Sequence, residues 1–380
     1  MTAVEKLLCE LIALPSVNNA FLSAGHPRAG ERRVGDFLAA RARRAGLGVE
    51  WSAVSPGRSN LLLRLSPSGR VRRRILLAPH LDTVEVASED QLIPRIKLGR
   101  IYGRGACDTK GSVAVMMTAL CELASSGRRP DGTEITLVGL VDEETGQTGS
   151  RALAASGLAA DLAIVGEPTL LKVVTTHKGN IWMKLETHGR AAHGSRPELG
   201  RNAVHEMARI VDLLETEYAA ILRRRRHPML RPPTVNVGTI EGGLQANIVP
   251  ARCTITVDRR TLPGETDAQV WRELKALLRK HGLKASTSSD KAAPSWPLET
   301  DPGLPLVRLF LRSAGQTTAT GVDYFSDAGV LAHGGIPSVV FGPGNIAQAH
   351  TADEWIALSQ LERGREILAD FLRRSAEVRG

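Results

Sequence analysis

Five segments of the sequence end an apolar run with side chains that can bind a metal ion. They are "APHLD" (78–82), "GRGACDTKG" (103–111), "LVDEETG" (140–146), "IVGEPT" (164–169) and "GPGNIAQAHTADEW" (342–355). Together they offer two histidines and several carboxylates, the mixed nitrogen and oxygen donors that suit Zn²⁺. Each segment alone is typical of a solvated turn or a helix start. Their recurrence in chain order indicates one shared site.

The elements predicted around these segments bring them to one edge of a sheet. Strand patterns occur at "NLLLRL" (60–65), "RILLAP" (74–79), "EITLVGLV" (134–141) and "LAIVGEP" (162–168), and helical spacing at 31–46 and 111–127. Strands that alternate with helices indicate an α/β layer with helices on both faces. Because loops at the carboxyl ends of such strands converge on one crevice, we expect the histidines and carboxylates to meet there.

A different pattern interrupts this order in the middle of the chain. It comprises strands at 180–189, 234–240 and 253–260, helices at 202–225 and 267–281, and a short final strand. The order β-α-β-β-α-β predicts a ferredoxin-like unit. Helical and strand signals of the α/β kind then return, ending in a helix at 358–374. We therefore predict a catalytic domain built from residues 1–178 and 293–380, with an inserted domain at 179–292.

The composition excludes several classes of protein. The 380 residues are 42% hydrophobic and 23% charged, as in ordinary globular proteins of this length with two domains. The net charge of +9 comes mostly from scattered basic residues, and only 4% of residues are aromatic. Because stacking on bases needs aromatic side chains, we expect no nucleic-acid partner.

The sequence also predicts a cytoplasmic protein without a membrane segment. Its start, "MTAVEKLLCELIALPSV", lacks the basic beginning of a signal peptide, and the apolar-rich stretch 112–124 is too short to cross a bilayer. The four cysteines form no CxxC pair, which favours reduced thiols.

Taken together, the motifs resemble the metallopeptidase M20 family of dinuclear-zinc amidohydrolases. The resemblance rests on "HLDTV", "GRGACDTKG", "DEETG", "GEPT", "THKG", "AAHGSRPELGRNAV", "DRRTLPG" and "FGPGNIAQAHTADEW", and covers nearly the whole chain. It implies a zinc-peptidase-like catalytic domain with a mixed central sheet flanked by helices. It also implies that the inserted ferredoxin-like domain serves dimerisation, so the expected assembly is a homodimer.

The resemblance implies two Zn²⁺ ions, for which Co²⁺ or Mn²⁺ can substitute. It gives His80 and Glu167 to one ion, and Glu144 and His350 to the other, with Asp108 bridging both. Each ion then has one imidazole and carboxylates, which leaves room for a shared water.

Three further residues are expected to act in the reaction. The resemblance makes Glu143 the general base, which takes the proton of the attacking water and passes it to the leaving amine. Asp82 lies two residues from His80, so its carboxylate can hold the second ring N–H of that histidine. In similar enzymes the histidine at His193 reaches the neighbouring subunit's active site and stabilises the oxyanion.

Substrate contacts are expected from three places. Arg260, in "DRRTLPG", matches the arginine that holds the substrate carboxylate in relatives, whereas its neighbour Arg259 is expected to be solvated. Asn247 is expected to orient the substrate, with a turn role as the alternative. Gly342 would let the backbone approach the ligand closely.

The resemblance favours hydrolysis of a small-molecule N-acyl amino acid, first N-acetylornithine, which would belong to arginine biosynthesis. A succinyl-diaminopimelate desuccinylase, or a dipeptidase or carboxypeptidase of the same family, stays open, because few pocket residues separate these specificities. A catalytically silent binding protein on the same scaffold is the alternative of another class. Such a protein would be expected to lose a ligand or the base, and all six of these residues are present.

Overall fold

The computed structural model describes residues 1–67, 69–127, 129–291 and 293–378. Its contacts divide the chain into two compact units. The first comprises Met1–Thr175, Leu298–Gly321 and Ser326–Gly380, and the second comprises Thr176–Pro297 and Val322–Phe325. The predicted end of the inserted domain, Ala292, lies outside the described residues.

The strands and helices are numbered here in chain order. The strands are β1 Gly48–Ser55, β2 Arg58–Leu65, β3 Arg73–Pro79, β4 Arg95–Lys97, β5 Arg100–Tyr102, β6 Thr133–Gly139, β7 Leu162–Gly166, β8 Val174–His177, β9 Gly179–His188, β10 Thr234–Gly242, β11 Arg252–Thr261, β12 Ser286–Ser289, β13 Leu298–Glu299, β14 Thr320–Val322, β15 Ser338–Val340 and β16 Trp355–Ala357. The helices are α1 Ala3–Ile12, α2 Arg32–Arg44, α3 Lys110–Ser125, α4 Thr148–Ala155, α5 Ala203–Leu213, α6 Ala219–Arg223, α7 Asp267–Lys280, α8 Pro305–Ser313, α9 Asp327–His333 and α10 Leu358–Arg374.

A mixed sheet forms the centre of the α/β architecture. Its order is β1-β2-β6-β3-β7-β15-β8-β13, with β14 paired to β8. The pairs β6–β3, β3–β7 and β7–β15 are parallel, whereas β1–β2 and β2–β6 are antiparallel. The parallel strands are the apolar runs of the sequence, as expected of strands covered on both faces. Side chains of α1, α2, α3, α8 and α10 pack in the same core, which confirms the predicted mixed sheet flanked by helices.

This strand order explains how distant segments reach one place. The neighbouring strands β6, β3 and β7 are parallel, so their carboxyl ends lie side by side. His80 continues the pairing beyond β3 through a parallel bridge with Leu140, which follows β6. Likewise, the amide of Phe341, after β15, donates to the carbonyl of Val165 in β7. The segments that follow these strands therefore meet at one edge of the sheet.

The second unit has the predicted β-α-β-β-α-β order. Its antiparallel sheet runs β10-β11-β9-β12, and side chains of α5 and α7 form its core with the sheet. The single helix predicted at 202–225 is α5 followed by a π-helical turn, Leu214–Tyr218, and α6. None of the helices in the described ranges has both the length and the apolar character needed to cross a membrane.

Candidate metal centre

His80 stands at the carboxyl end of β3 and faces two carboxylates. The ring is buried, with Nε2 at 3.1 Å from Asp108 Oδ1 and 3.9 Å from Glu167 Oε1. The other ring nitrogen, Nδ1, lies 3.0 Å from the main-chain carbonyl of Asp82 and 3.5 Å from its Oδ1. An Nδ1–H held by these acceptors leaves the Nε2 lone pair free for a cation.

His350 forms a second group on the other side of Asp108. Its Nε2 lies 3.1 Å from Glu144 Oε2 and 3.3 Å from Asp108 Oδ2. Asp108 thus turns one oxygen to each histidine. The possible ligand atoms of His80, Asp108 and Glu167 all lie within 4.8 Å of one another, and so do those of Asp108, Glu144 and His350. Two sets of donors that share one carboxylate match the layout of a dinuclear metal site.

The side chains present fit two divalent cations. Glu144 Oε1 and Glu167 Oε1 are buried, and neither has a hydrogen-bond partner among the described residues. A buried ionised oxygen without a partner is costly, and a cation would satisfy both oxygens. Two imidazoles and three carboxylates are also the donor types that zinc, cobalt and manganese accept.

Burial and mutual repulsion perturb the carboxylates of the site. Burial, reinforced by the charge of Glu167, raises the pKa of Glu143 well above its ordinary value. Burial and the charge of Asp108 raise the pKa of Glu144 to about 7, and burial likewise raises the pKa of Glu167. Asp108 behaves in the opposite way: burial alone would raise its pKa, but hydrogen bonds with His350 and His80 lower it. The site therefore carries more negative charge than the nearby cations neutralise.

The two histidines respond to that excess of negative charge. Hydrogen bonds with Asp108 and Glu144 raise the pKa of His350 to about 10. Burial alone would lower the pKa of His80, but hydrogen bonds with Asp108 and Asp82 raise it well above its ordinary value. Both shifts have the same cause, since each ring lies beside carboxylates that favour a positive charge at its position. Because a ligand histidine must be neutral, metal binding there would release protons.

Asp82 anchors the turn that carries Glu143 and Glu144. Its buried carboxylate accepts the Glu143 amide at 3.1 Å through Oδ1 and the Glu144 amide at 3.1 Å through Oδ2. The same Oδ2 accepts the side-chain amide of Asn18 at 2.7 Å. Sequence reasoning missed Asn18, which sits in the loop "PSVNN" after α1, where no local pattern distinguishes it from any other loop residue. The Asp82 carboxylate therefore contacts both the histidine and the neighbouring glutamate turn.

A buried ion-pair network also contacts the turn that carries Glu143 and Glu144. Asp142, at a left-handed φ of 70°, accepts a 2.9 Å bond from Arg58 and a 3.0 Å bond from Asn18. Arg58 also pairs with the buried carboxylate of Glu31. A non-glycine residue in this backbone region is held there by its surroundings, a situation typical of functional turns. Arg58 and Glu31 were also missed, since they lie far from the acidic motif in sequence.

His193 and Asn247 come together within the second unit. The exposed His193 places Nδ1 at 2.8 Å from the hydroxyl of Ser195, and its backbone bridges Ile248. The amide of Gly194 donates to the Asn247 carbonyl at 2.7 Å. Neither side chain belongs to the two metal-binding groups.

The two arginines of "DRRTLPG" lie on opposite faces of β11. Arg260 donates to both oxygens of Asp258, at 2.8 and 3.2 Å, and its guanidinium lies 5.2 Å from the ring of Phe325. The expectation that Arg259 is solvated is wrong. Arg259 is fully buried and donates to Glu265 at 2.7 Å and to the hydroxyl of Tyr218 at 3.2 Å. The two-residue alternation of the strand turns Arg259 to the core, and Glu265 neutralises it.

Gly342 packs against the segment that carries Glu167. A side chain at this position would place Cβ 2.5 Å from the Glu167 carbonyl oxygen and 2.3 Å from Ser112 Oγ. The Gly342 carbonyl accepts the amide of Leu171 at 3.0 Å. The glycine thus allows a close approach of two backbone segments beside a candidate ligand.

Comparison with known proteins agrees with this geometry. Residues 76–374 match the family described as "Peptidase family M20/M25/M40". The chain is 32% identical over 349 residues to an acetylornithine deacetylase of Myxococcus xanthus, covering 88% of this chain and 90% of the relative. It is 30% identical over 385 residues to the acetylornithine deacetylase of Proteus mirabilis (strain HI4320), covering 97% and 95%.

Solved structures show the same fold. An M20 family metallo-carboxypeptidase from Sulfolobus solfataricus superposes with a TM-score of 0.81 at 19% identity, over 99% of this chain and all of the other. A dinuclear metal-binding M20 peptidase from Bacillus subtilis gives a TM-score of 0.71 at 12% identity, over 99% and 98%. The chain belongs to peptidase family M20/M25/M40 and is a hydrolase of amide bonds.

Proposed function

We propose that the protein is a dinuclear metal-dependent deacylase that hydrolyses the amide of an N-acyl amino acid, with N-acetylornithine as the first candidate. The observation that carries the reaction type is the pair of three-residue groups that share Asp108. The substrate is supported by two relatives named acetylornithine deacetylase, at 32% and 30% identity over most of the chain. Zinc is the proposed metal, with cobalt or manganese as substitutes, because the donors are imidazoles and carboxylates.

In this proposal each histidine serves one ion. His80 and Glu167 would hold the first ion, Glu144 and His350 would hold the second, and Asp108 would serve both. Bound cations would supply the positive charge that acidifies a water molecule and polarises the scissile carbonyl.

The proposed base is Glu143. It is the one carboxylate of the "DEE" turn that neither metal-binding group nor the Arg58 network uses. Glu143 takes a proton as the water oxygen bonds to the acyl carbon, and it returns that proton to the nitrogen as the C–N bond breaks. The products are a carboxylic acid and an amine, and transfer of the acid proton to the amine gives a carboxylate and an ammonium group. Asp82 holds the backbone of Glu143 in place during both transfers.

The remaining predicted residues would act on the substrate. We propose that Arg260 pairs with the substrate carboxylate after exchanging its bond with Asp258. Asn247 and Gly342 would orient the substrate, and His193 would stabilise the oxyanion.

A hydrolysis panel tests the proposed function. Zinc-loaded wild-type protein and Glu143→Gln would be assayed on N-acetylornithine, N-acetylcitrulline, N-acetyllysine, N-succinyl-diaminopimelate and several dipeptides. We expect release of acetate from N-acetylornithine by the wild type alone. Turnover of the succinyl substrate or of a dipeptide instead would show that the proposed substrate is wrong but that the proposed reaction type is right. Two bound metals and no turnover across the panel would leave the metal site standing and show the proposed substrate class to be wrong. Protein that purifies without tightly bound zinc and gains no activity on metal addition would favour a silent binding protein.

We also propose a cytoplasmic homodimer in which the second unit forms the interface. In support, β10 is an outer strand of that unit's sheet, and outer strands offer unpaired backbone groups to a second chain. Ile240 on this strand and Leu244 just after it are 56% and 94% exposed. Light scattering should give the mass of two chains. If His193 acts across subunits, mixing His193→Ala with Glu143→Ala should restore some activity, and verified heterodimers without activity would contradict the idea.

A further inference from the structure

The buried carboxylate of Glu354 joins two loops of the candidate metal centre. Its Oε1 accepts the amides of Cys107 at 2.8 Å and Asp108 at 3.0 Å. Its Oε2 accepts the amide of Gly105 at 2.9 Å and the guanidinium of Arg104 at 2.8 Å. Glu354 is only 1% exposed, so these four donors satisfy an ion that water does not reach.

A second tie holds the same two loops together. The side-chain amide of Gln91 donates to the carbonyls of Thr351 at 3.1 Å and Ala352 at 2.9 Å. The carbonyl of Gln91 accepts the amide of Arg104 at 2.8 Å. Gln91 and Glu354 together therefore fasten residues 351–354, which directly follow His350, to residues 103–108, which end in Asp108.

The ring of His350 contacts Glu144, whose Oε2 lies 3.1 Å from Nε2, but the residue is otherwise open to solvent. Its side chain is 54% exposed, and its backbone lies in the left-handed region at a φ of 62°. Its ring nonetheless lies 3.3 Å from Asp108 Oδ2. Because His350 and Asp108 are 242 positions apart in the sequence, their separation depends on contacts between distant segments, and the ties of Glu354 and Gln91 are among these contacts.

We propose that Glu354 is a positioning residue that sets the distance between Asp108 and His350, and with it the affinity of the second metal-binding group. The inference rests on the proposed metal-dependent function. Glu354 touches no reacting atom; it acts through the backbone amide of Asp108 and through the short segment that leads back to His350. Removing such a partner of a metal ligand typically lowers metal affinity 10- to 100-fold.

Two substitutions separate the geometry of Glu354 from its charge. Glu354→Gln keeps the shape but turns one oxygen into an amide that faces two N–H donors. Glu354→Asp keeps the charge and shortens the side chain by one methylene. The matched control is Glu366→Gln on α10, where the carboxylate is 52% exposed and pairs with Arg363.

The experiment measures zinc affinity and local hydrogen exchange in folded protein. Zinc dissociation constants would come from competition with a chromophoric chelator, and exchange would be followed in metal-free protein on peptides covering 103–110 and 350–357. For Glu354→Gln we expect a dissociation constant 10- to 100-fold higher at one site and faster exchange confined to these two segments. The zinc dissociation constant and the local exchange rates of Glu354→Asp should lie between those of this variant and the wild type. Those of Glu366→Gln should equal the wild-type values.

The outcomes distinguish this inference from the proposed function. A wild type that binds zinc, with a Glu354→Gln protein equal to it in affinity or in local exchange, overturns the inference alone. Faster exchange spread over the whole first unit would indicate general destabilisation and would also overturn it. A wild type that binds no divalent metal overturns both. If Glu354→Gln does not fold, Gln91→Leu, which removes the second tie, must show the same two effects.

Discussion

Replacing Asp82 by asparagine should disable the site while leaving every proposed ligand in place. The Asp82 carboxylate accepts the Glu143 amide through one oxygen, and the Glu144 amide and the Asn18 side chain through the other. Asparagine has the same shape but only one oxygen. If that oxygen still accepts the Glu144 amide and the Asn18 side-chain amide, the new NH₂ group faces the backbone amide of Glu143. Two hydrogen-bond donors then face each other. The turn that holds the proposed base then loses its anchor.

The size of the expected loss in kcat/KM follows from the backbone N–H of Glu143, which is left without an acceptor. A buried N–H without an acceptor costs about 1–3 kcal/mol, which corresponds to a rate factor on the order of 10–100 when it displaces a catalytic group. Loss of an outer partner of a metal ligand has a similar size, roughly 10- to 100-fold. We therefore expect kcat/KM of Asp82→Asn to fall by about this factor, mainly through kcat.

The assay combines kinetics with metal analysis. The best substrate of the panel would be used, and zinc content would be measured by mass spectrometry on the same samples. Asp36→Asn is the control, because this carboxylate is 55% exposed on α2 and pairs with Arg32. An Asp82→Asn protein that holds two zinc ions and keeps kcat/KM within about twofold of the wild type would refute the reasoning.

Three further substitutions test other parts of the structure. Glu143→Gln should lower kcat by about 10²- to 10⁴-fold at unchanged zinc content, since a general base contributes that much; a loss under about tenfold would exclude the role. Arg58→Met should lower the free energy of unfolding by about 3–5 kcal/mol in urea, because Glu31 and Asp142 stay buried without their cation; a loss under about 1 kcal/mol would contradict the network. Burial lowers the pKa of His177 to about 4 from an ordinary 6.5, so the unfolded chain takes up the proton first as the pH falls, and stability is lost between about pH 6.5 and 4. His177→Gln should remove about 3 kcal/mol of this pH dependence, measured as the free energy of unfolding at several pH values, and an unchanged slope would count against it.

The sequence was informative wherever a pattern is local. The strands β3, β6 and β7 are continuous apolar runs, and each is followed by a polar segment that the parallel order brings to one edge. His80, Glu144 and Glu167 lie just after such runs, whereas the roles of all five proposed ligands, including Asp108 and His350, were predicted from the resemblance to the M20 family. Strand β1 was missed because its side chains are all partly or largely exposed, so "GVEWSAVS" has no strong apolar pattern. The short strands β4, β5 and β16 form a separate sheet, which no local sequence pattern predicts.

Contacts between residues far apart in the sequence could not be found in this way, even where one partner, such as Asp82, was predicted from a local pattern. Asn18 and Asp82 are 64 positions apart, and Arg104 and Glu354 are 250 positions apart. Each looks locally like a loop residue, and only the fold reveals its partner. Arg259 shows the same limit, since the register of β11 decided which arginine of the pair is buried.

The charges of the centre favour two ions of unequal affinity. The three candidate ligand carboxylates, Asp108, Glu144 and Glu167, would together carry three negative charges, more than one divalent cation balances. The side chain of His80 is 1% exposed, whereas that of His350 is 54% exposed. Since attraction between charges weakens where water enters, the ion beside His350 should bind less tightly.

Graded dialysis against a chelator should therefore remove one ion first, and the remaining ion should be the one at His80 and Glu167. His350→Ala should then purify with a single tightly bound zinc, whereas His80→Ala should lose the tighter of the two. The measurement is zinc per chain at each chelator concentration, with His333→Ala, on α9 outside both metal-binding groups, as control. Simultaneous loss of both ions, or a His350→Ala protein without any zinc, would contradict this. It would show that the two groups bind their ions cooperatively and that solvent exposure does not decide which ion binds more tightly.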